Sequence, residues 1–180
     1  MQEIFKEKFE QEKPFSGMKV YYSDSIKGIK NNDPEFAWDL VRFMTAGGAD
    51  VLSEHVAGRT RDERNDIFLK RSGYDRRTID NPWFIGRKVD LEWVDAATHL
   101  IAVVDGPSHG VGMEIQRALD KPKMGLPKTP ILCLVREENL ENVTWMIRGI
   151  SNSDSDSFEL RSYTDGEDAK DIIYDFLLKH

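Results

Sequence analysis

One stretch of the sequence, residues 100–119, is the clearest indication of the fold class. It reads Leu100-Ile101-Ala102-Val103-Val104-Asp105-Gly106-Pro107-Ser108-His109-Gly110-Val111-Gly112-Met113-Glu114-Ile115-Gln116-Arg117-Ala118-Leu119. Its first five residues are almost entirely apolar, which is typical of a central parallel strand covered on both faces. Gly110 and Gly112 then lead into residues 113–119, which carry the apolar spacing of a helix. A strand, a glycine loop and a helix in this order predict one repeating unit of an α/β domain.

The same alternation of strand and helix extends along the rest of the chain. Strands are predicted at 18–22, 49–56, 100–104, 130–135 and 158–163. Helices are predicted to begin at Asp33-Pro34 and at Asn81-Pro82, and an amphipathic helix closes the chain. Alternating elements imply parallel pairing with right-handed crossovers. We therefore expect a doubly wound, flavodoxin- or Rossmann-like, five-stranded parallel sheet with helices on both faces.

The length of 180 residues suits one compact domain. Residues 1–17 are rich in charge, and we interpret them as a mobile or loosely docked N-terminal arm. Residues 18–180 are then expected to form a single domain. Within it, residues 57–80 hold many charges and are expected to form a partly helical, exposed excursion.

Composition excludes several classes of protein. The chain has 25 Lys and Arg against 32 Asp and Glu, a net charge of −7, which argues against a nucleic-acid binder. No apolar run approaches the roughly 20 residues of a membrane span. The single cysteine, Cys133, lies in an apolar run, so we expect a reducing compartment: the cytoplasm, or the nucleus in a eukaryote. His99 and His109 lack partners at ligand spacing, and neither a metal nor a cofactor is expected.

Two loops are expected to meet beyond the carboxyl ends of the strands, where open α/β sheets bind ligands. Residues 23–28 follow the first strand and residues 105–112 follow the third. Both carry hydroxyls and glycines directly before helical residues, which suits an anion, and Lys27 adds a positive charge. Each loop taken alone is equally consistent with a plain tight turn, and neither is a nucleotide-binding fingerprint.

Glu114 is the sharpest candidate for chemistry. We interpret it as lying in the first turn of the helix after the third strand, where an acid can simply offset the helix dipole. The alternative is a carboxylate directed into the crevice. Asp90, on the preceding helix, would then supply a second carboxylate. Two carboxylates in unlike environments can divide the roles of nucleophile and proton donor.

Five stretches, in order, resemble the 2′-deoxynucleoside 5′-monophosphate N-glycosidases, relatives of the nucleoside 2-deoxyribosyltransferases. They are Val20-Tyr21-Tyr22-Ser23-Asp24-Ser25-Ile26-Lys27-Gly28, Val51-Leu52-Ser53-Glu54-His55-Val56-Ala57, Asp90-Leu91-Glu92-Trp93, Pro107-Ser108-His109-Gly110-Val111-Gly112-Met113-Glu114 and Met146-Ile147-Arg148-Gly149. The resemblance extends over residues 18–178, and the fourth stretch is its most specific part. Lys27 stands where the family usually has Arg, and Asp24 replaces a small residue.

The resemblance implies roles for individual residues. Glu114 matches the glutamate that attacks C1′ of the sugar, Asp90 the aspartate that assists proton transfer, and Tyr21 the tyrosine beside the ribose. The positions that hold the 5′-phosphate are Ser25, Lys27, Gly28, Ser108 and Gly110. Thr144 lies where the family contributes a hydroxyl to the neighbouring subunit, which implies a homodimer with shared sites. His55 and Ile26 fall near the base and sugar.

The expected activity is therefore hydrolysis of the N-glycosidic bond of a (deoxy)nucleoside 5′-monophosphate through a covalent glycosyl-enzyme on Glu114. Its only expected partners are a small nucleotide substrate and a second copy of the chain, with no nucleic acid and no membrane. Three alternatives remain open from the sequence. They are a transferase that exchanges bases between deoxynucleosides, a ribonucleotide N-glycosidase of the CMP type, and a nucleotide-binding sensor without turnover.

Overall fold

A five-stranded parallel sheet forms the centre of the protein, with the strand order β2-β1-β3-β4-β5. The computed structural model describes residues 9, 11–25 and 34–180. All neighbouring strands pair in parallel, and the strands are β1 (Lys19–Ser23), β2 (Asp50–Val51), β3 (His99–Val103), β4 (Ile131–Arg136) and β5 (Phe158–Tyr163). This confirms the predicted doubly wound sheet. The strand order reverses between β1 and β3, so the crevice at their carboxyl ends is the expected ligand site.

Helices cover both faces of the sheet. They are α1 (Pro34–Ala46), α2 (Arg61–Ser72), α3 (Pro82–Ala96), α4 (His109–Asp120), α5 (Trp145–Arg148) and α6 (Gly166–Lys179). Apolar residues of α1 and α6 pack on one face, and those of α3, α4 and α5 pack on the other. None of the described helices combines the length and apolar character needed to cross a lipid bilayer.

The pleat of β1 decides which side chains reach which face. Successive side chains of a strand point to opposite faces of the sheet. Val20 and Tyr22 are therefore buried with the α1 and α6 residues, whereas Tyr21 is buried with those of α3 and α4. Both tyrosines are almost wholly inaccessible.

The second strand is much shorter than predicted, because the expected strand over 49–56 stops after Val51. Ser53 accounts for the early end. Its hydroxyl accepts a hydrogen bond from the Tyr22 N–H at 2.8 Å and donates one to the Tyr22 carbonyl at 2.6 Å. A side chain thus replaces the backbone ladder, and the chain turns into a short 3₁₀ helix, Glu54–Ala57.

Helix α4 begins earlier than predicted, at His109 rather than after Gly112. The Ser108 hydroxyl caps it by accepting a hydrogen bond from the Val111 N–H at 3.4 Å. The glycines therefore lie inside the first turn, and Glu114 lies in the second. The interpretation of Glu114 as a first-turn acid is wrong, and the dipole cannot be its main role since that effect fades within one turn.

Part of the predicted N-terminal arm is packed onto the domain rather than loose. Phe9 and Phe15 are buried in the core, and their ring centroids lie 5.5 Å apart. Phe9 also stacks on Phe43 of α1 at 5.0 Å, and Phe15 lies 5.9 Å from Tyr174 of α6. The division into an arm over 1–17 and a domain over 18–180 stays a prediction.

Replacing Phe15 with alanine should lower the free energy of unfolding by about 3–5 kcal/mol, because it empties a fully buried ring site. Urea denaturation of the purified variant measures this loss. Leu178→Ala, at a side chain that is 50% exposed, is the control and should change the free energy by less than about 0.5 kcal/mol. Equal, small losses in both variants would show that the segment before β1 contributes nothing to the core.

Candidate active site

Two hydroxyl groups from β1 hold the carboxylate of Glu114. Tyr21 and Ser23 lie two residues apart on the strand, so both side chains reach the face that α4 covers. The Ser23 hydroxyl donates a short hydrogen bond to Glu114 Oε2, and the Tyr21 hydroxyl donates another to the same carboxylate. The carboxylate is thus oriented at the carboxyl end of β1, beside the crevice.

The environment of Glu114 contains opposing influences on its ionisation. Burial raises the pKa of its carboxyl above the ordinary value, while the hydrogen bonds from Ser23 and Tyr21 act in the opposite direction. Hydrogen bonds to a carboxylate favour its charged form. Glu114 is therefore a half-buried acid whose hydroxyl donors favour its anion without cancelling the upward shift of its pKa.

Asp90, in α3, has a different environment. Its Oδ1 atom is buried and has no hydrogen-bond partner in the described part of the chain. Burial and the negative charge of Glu114 together raise the pKa of Asp90 to about 7, although the positive charge of Arg76 lowers it. A carboxyl that titrates near neutrality can hold a proton and release it, which is what a general acid requires.

His55 lies beside Asp90, with 4.0 Å between its Nε2 atom and Asp90 Oδ1. Its buried ring packs against Phe68 at 5.2 Å and Trp93 at 5.6 Å between centroids. Burial lowers the pKa of His55 to about 3, and the charges of Arg76 and Arg64 contribute to the decrease. The imidazole is therefore neutral at physiological pH, so it cannot act as a cationic proton donor.

The candidate phosphate residues are only partly within the described chain. Ser25 follows β1 and is buried, and Ser108 is the N-cap of α4. A Cβ on Gly110 would lie 3.8 Å from Ser108 Oγ and 3.9 Å from Glu114 Oε1, so the glycine leaves open space beside both. The remaining candidates, Ile26, Lys27 and Gly28, lie outside the described residues.

Thr144 is the N-cap of α5, where its hydroxyl accepts a hydrogen bond from the Met146 N–H at 3.4 Å. The next two side chains are unusually exposed for apolar groups: Trp145 is 88% exposed and Met146 is 78% exposed. Trp145 is therefore not a core residue. An apolar surface next to a candidate shared hydroxyl is typical of a protein–protein contact.

Sequence reasoning missed Ser23 as a functional residue. The available signal was its position two residues after Tyr21, which puts both on one face of β1. It also missed Arg76, whose charge acts on both Asp90 and His55. Nothing in the sequence brings Arg76 near Asp90, because helix α2 and the turn after it must first pack against the domain.

A second buried acidic cluster lies on the opposite face of β1. The Asp24 carboxylate accepts hydrogen bonds from the Tyr22 hydroxyl at 3.0 Å and from the Ser25 N–H at 2.6 Å. Burial raises the pKa of Asp24 to about 7, although these two bonds favour its anion. Nearby, the Asp105 carboxylate accepts a short bond from the Tyr163 hydroxyl. Asp24 is therefore held by Tyr22, whose side chain lies on the face of the sheet opposite to Tyr21 and Glu114.

Asp24→Asn should stabilise the protein at pH 8 and have little effect near pH 4. The folded pKa lies above the unfolded one, so the native state holds its proton more tightly and loses relative stability as pH rises from about 4 to 7. Removing that charge should raise Tm at pH 8 by roughly 2–8 °C, the equivalent of about 1–2 kcal/mol. Thermal unfolding at both pH values measures the difference, with the exposed Asp80→Asn as control. A pH-independent shift would contradict the assignment.

A parallel α/β sheet that carries two carboxylates in unlike environments on one face suits the chemistry of glycosidases, in which two carboxylates take different roles. Among residues 9, 11–25 and 34–180, no three His, Cys, Asp or Glu side chains are grouped as metal ligands would be.

Comparison with known proteins identifies the family. The chain is 33% identical over 159 residues to the 5-hydroxymethyl-dUMP N-hydrolase of Tetraodon nigroviridis, an alignment that covers 88% of this chain and 96% of that protein. It is 34% identical over 148 residues to the 5-hydroxymethyl-dUMP N-hydrolase of Rattus norvegicus, which covers 82% of this chain and 78% of the rat protein. The chain belongs to the 2′-deoxynucleoside 5′-monophosphate N-hydrolase family and is an N-glycosidase. No family model matches it.

A solved structure shares the fold. The CMP N-glycosidase of Clostridium botulinum superimposes with a TM-score of 0.56 at 19% sequence identity, covering 88% of this chain and 98% of that one. At this identity the likeness concerns the arrangement of strands and helices alone.

Proposed function

We propose that this N-glycosidase hydrolyses deoxynucleoside 5′-monophosphates to a free base and deoxyribose 5-phosphate. One observation carries the proposal. Glu114 has two hydroxyl donors on its carboxylate, whereas Asp90, on the same face, has a buried oxygen without a partner and a pKa near 7. This difference suits one anionic nucleophile and one proton donor. The names of the two N-hydrolase relatives support a monophosphate substrate.

In the first step, a Glu114 oxygen forms a bond to C1′ of the sugar. The bond between C1′ and the base nitrogen breaks, and its electron pair leaves with the base. Asp90 supplies the proton that neutralises the departing base, since a base anion leaves poorly. The covalent glycosyl-enzyme divides one difficult displacement into two easier ones.

In the second step, water attacks C1′ and the bond to Glu114 breaks, which returns the carboxylate. Asp90, now unprotonated, accepts a proton from this water and is ready for the next turnover. Two displacements at C1′ retain the configuration of the sugar. The Ser23 and Tyr21 hydroxyls keep Glu114 oriented throughout, and the Tyr21 ring crowds the space next to the sugar.

The phosphate is proposed to bind at the N-terminus of α4 and at the loop after β1. Ser108 caps α4 beside Gly110, which leaves open space, and a helix N-terminus favours an anion. Ser25, Lys27 and Gly28 would complete this site, with Ile26 and His55 nearer the sugar and base. Because the chain as a whole carries a net charge of −7, the attraction for an anionic nucleotide must come from groups in these loops rather than from the whole surface.

A homodimer is proposed to complete each site through Thr144 of the neighbouring subunit. The exposed Trp145 and Met146 next to it support this arrangement, because the interior of a dimer interface is enriched in aromatic residues and methionine.

Cys133 is free and buried, which suits the reducing cytoplasm.

Glu114→Gln should reduce kcat for base release from deoxynucleoside 5′-monophosphates by about 10³-fold or more, because an amide is a poor nucleophile. Chromatography of the products, with and without a free acceptor base, measures the loss and distinguishes hydrolysis from transfer. Circular dichroism and Tm establish that the variant is folded. If the folded variant releases the base at a near wild-type rate, Glu114 is not the nucleophile.

Asp90→Asn should lower kcat by about 10²–10⁴-fold, the usual contribution of general acid–base catalysis. The loss should be smaller for a substrate whose base leaves without protonation, such as a nitrophenyl glycoside of deoxyribose 5-phosphate. The wild-type kcat should fall as pH rises through about 7, where Asp90 loses its proton. A rate that is flat between pH 6 and pH 8.5 would count against Asp90 as the acid.

Trp145→Glu should convert the dimer into monomers, because it places a charge in an apolar contact. Sedimentation velocity measures the mass, and the same sample should lose affinity for the 5′-phosphate through the loss of the partner's Thr144. Leu178→Glu, on α6, is the matched control and should remain dimeric. A monomeric wild type would exclude the shared site.

A further inference from the structure

Three buried polar atoms without partners belong to side chains that interact with one another. Four such atoms occur in the part of the chain that the structure describes: His55 Nδ1, Arg76 Nε, Asp90 Oδ1 and His99 Nε2. The first three belong to side chains that interact electrostatically with one another. His99 begins β3 and so lies at the opposite end of the sheet. A buried polar atom without a partner costs about 1–3 kcal/mol, so three such atoms in interacting side chains mark this cluster as a candidate for a functional role.

Arg76 is held in place by an aromatic group rather than by a carboxylate. Its guanidinium carbon lies 4.0 Å from the centroid of the Phe68 ring. Phe68 in turn packs edge-on against Trp93 at 5.5 Å and against His55 at 5.2 Å. No ion pair to Arg76 is found among the described residues, and its one hydrogen bond, to the Arg64 carbonyl, is long at 3.4 Å. Most of its donors therefore have no partner within the part of the chain that the structure describes.

We propose that Arg76 is a base-binding residue that selects bases with a carbonyl oxygen next to the glycosidic nitrogen, as in the pyrimidines. This inference rests on the proposed function. A guanidinium has five donors and no acceptor, so its complement is an acceptor such as a carbonyl. Adenine has no carbonyl oxygen next to its glycosidic nitrogen, so the Arg76 guanidinium would be left without a good acceptor. An unpaired charged donor in a buried site lowers the affinity for such a base.

The same contact would assist departure of the base. When the C1′–N1 bond of a pyrimidine nucleotide breaks, its electron pair spreads over N1 and the C2 carbonyl oxygen. A cation at that oxygen binds the departing base more strongly than the intact substrate, which is the condition for lowering the barrier. The proton from Asp90 then neutralises the base, so no further reactant is required.

Arg76 also influences the proton on Asp90. The charged and titratable groups around Asp90 are Glu114 on α4, Tyr21 on β1, His55 after β2 and Arg76 itself. Of these, Glu114 raises the pKa of Asp90, Arg76 lowers it, and His55 is neutral. Loss of the Arg76 charge must therefore move the titration of Asp90 to higher pH.

The test compares Arg76→Met, Arg76→Lys and the control Arg77→Met. Methionine keeps an unbranched apolar chain over Phe68 without the charge, and lysine keeps the charge without the planar donors. Arg77 is the adjacent residue and pairs instead with Asp66 and Asp75, each at 2.8 Å. We expect Arg76→Met to lose about 10- to 100-fold in kcat/KM for dCMP and dUMP, but less than about threefold for dAMP. Arg76→Lys should recover part of the loss, and Arg77→Met should resemble the wild type.

The pH profile supplies a readout that a merely structural role would not change. In Arg76→Met, the limb of the kcat profile that reports Asp90 should move to higher pH, whereas Arg77→Met should leave it in place. Loss of activity with an unmoved limb, or an equal loss for pyrimidine and adenine nucleotides, would overturn the assignment of Arg76 while the proposed function stands.

Binding separates this inference from the proposed function. Calorimetry on Glu114→Gln, with and without Arg76→Met, gives the Kd for dCMP and for dAMP without turnover. If Arg76→Met weakens the binding of dCMP but not of dAMP, the assignment of Arg76 is supported, whether or not the wild type releases the base. If the wild type releases no base, the proposed function is overturned but the assignment of Arg76 is not. Equal Kd values with and without Arg76 would overturn the inference about the base.

Discussion

The hydrogen bonds from the Ser23 and Tyr21 hydroxyls to the Glu114 carboxylate are the interaction on which the rest of the site depends. A buried carboxylate is unfavourable unless donors compensate for the lost water. The two hydroxyls provide that compensation at Glu114, and Asp90 has no equivalent at its Oδ1 atom. The site thus contains two acids of similar chemistry in unlike surroundings, because burial raises the pKa of both but only Glu114 has hydroxyl donors that favour its anion. The proposed chemistry follows from that asymmetry.

The pleat of β1 makes this arrangement possible and keeps it separate from a second acidic cluster. Tyr21 and Ser23 face α3 and α4, while Tyr22 lies on the other face and holds Asp24. Asp24 follows directly after the strand that carries the Glu114 donors, so a free anion here would oppose a phosphate. Burial raises the pKa of Asp24 to about 7, so part of the population carries no charge there near neutral pH, which reduces that opposition.

The excursion over residues 57–80 packs against the candidate site. Helix α2 is confirmed as its helical part, and Thr60 caps it by accepting a hydrogen bond from the Glu63 N–H at 3.1 Å. Phe68 is fully buried between His55 and Trp93, which fixes α2 against the domain and places Arg76 beside Asp90. A segment that is mainly charged in sequence thus contributes one apolar anchor and one cation.

The succession of strands and helices along the chain, with most of their approximate bounds, follows from the sequence, because apolar periodicity and helix caps are local signals. Glu114 and Asp90 are candidates from the sequence through their expected place at the crevice and through the resemblance to a known family. Only the tertiary structure decided the rest. The early end of β2 depends on a Ser53 contact with another strand, and the start of α4 at His109 depends on the Ser108 cap. The protonation of the two acids depends on burial and on neighbours distant in sequence, such as Arg76. No local pattern encodes those distances, since packing alone brings the groups together.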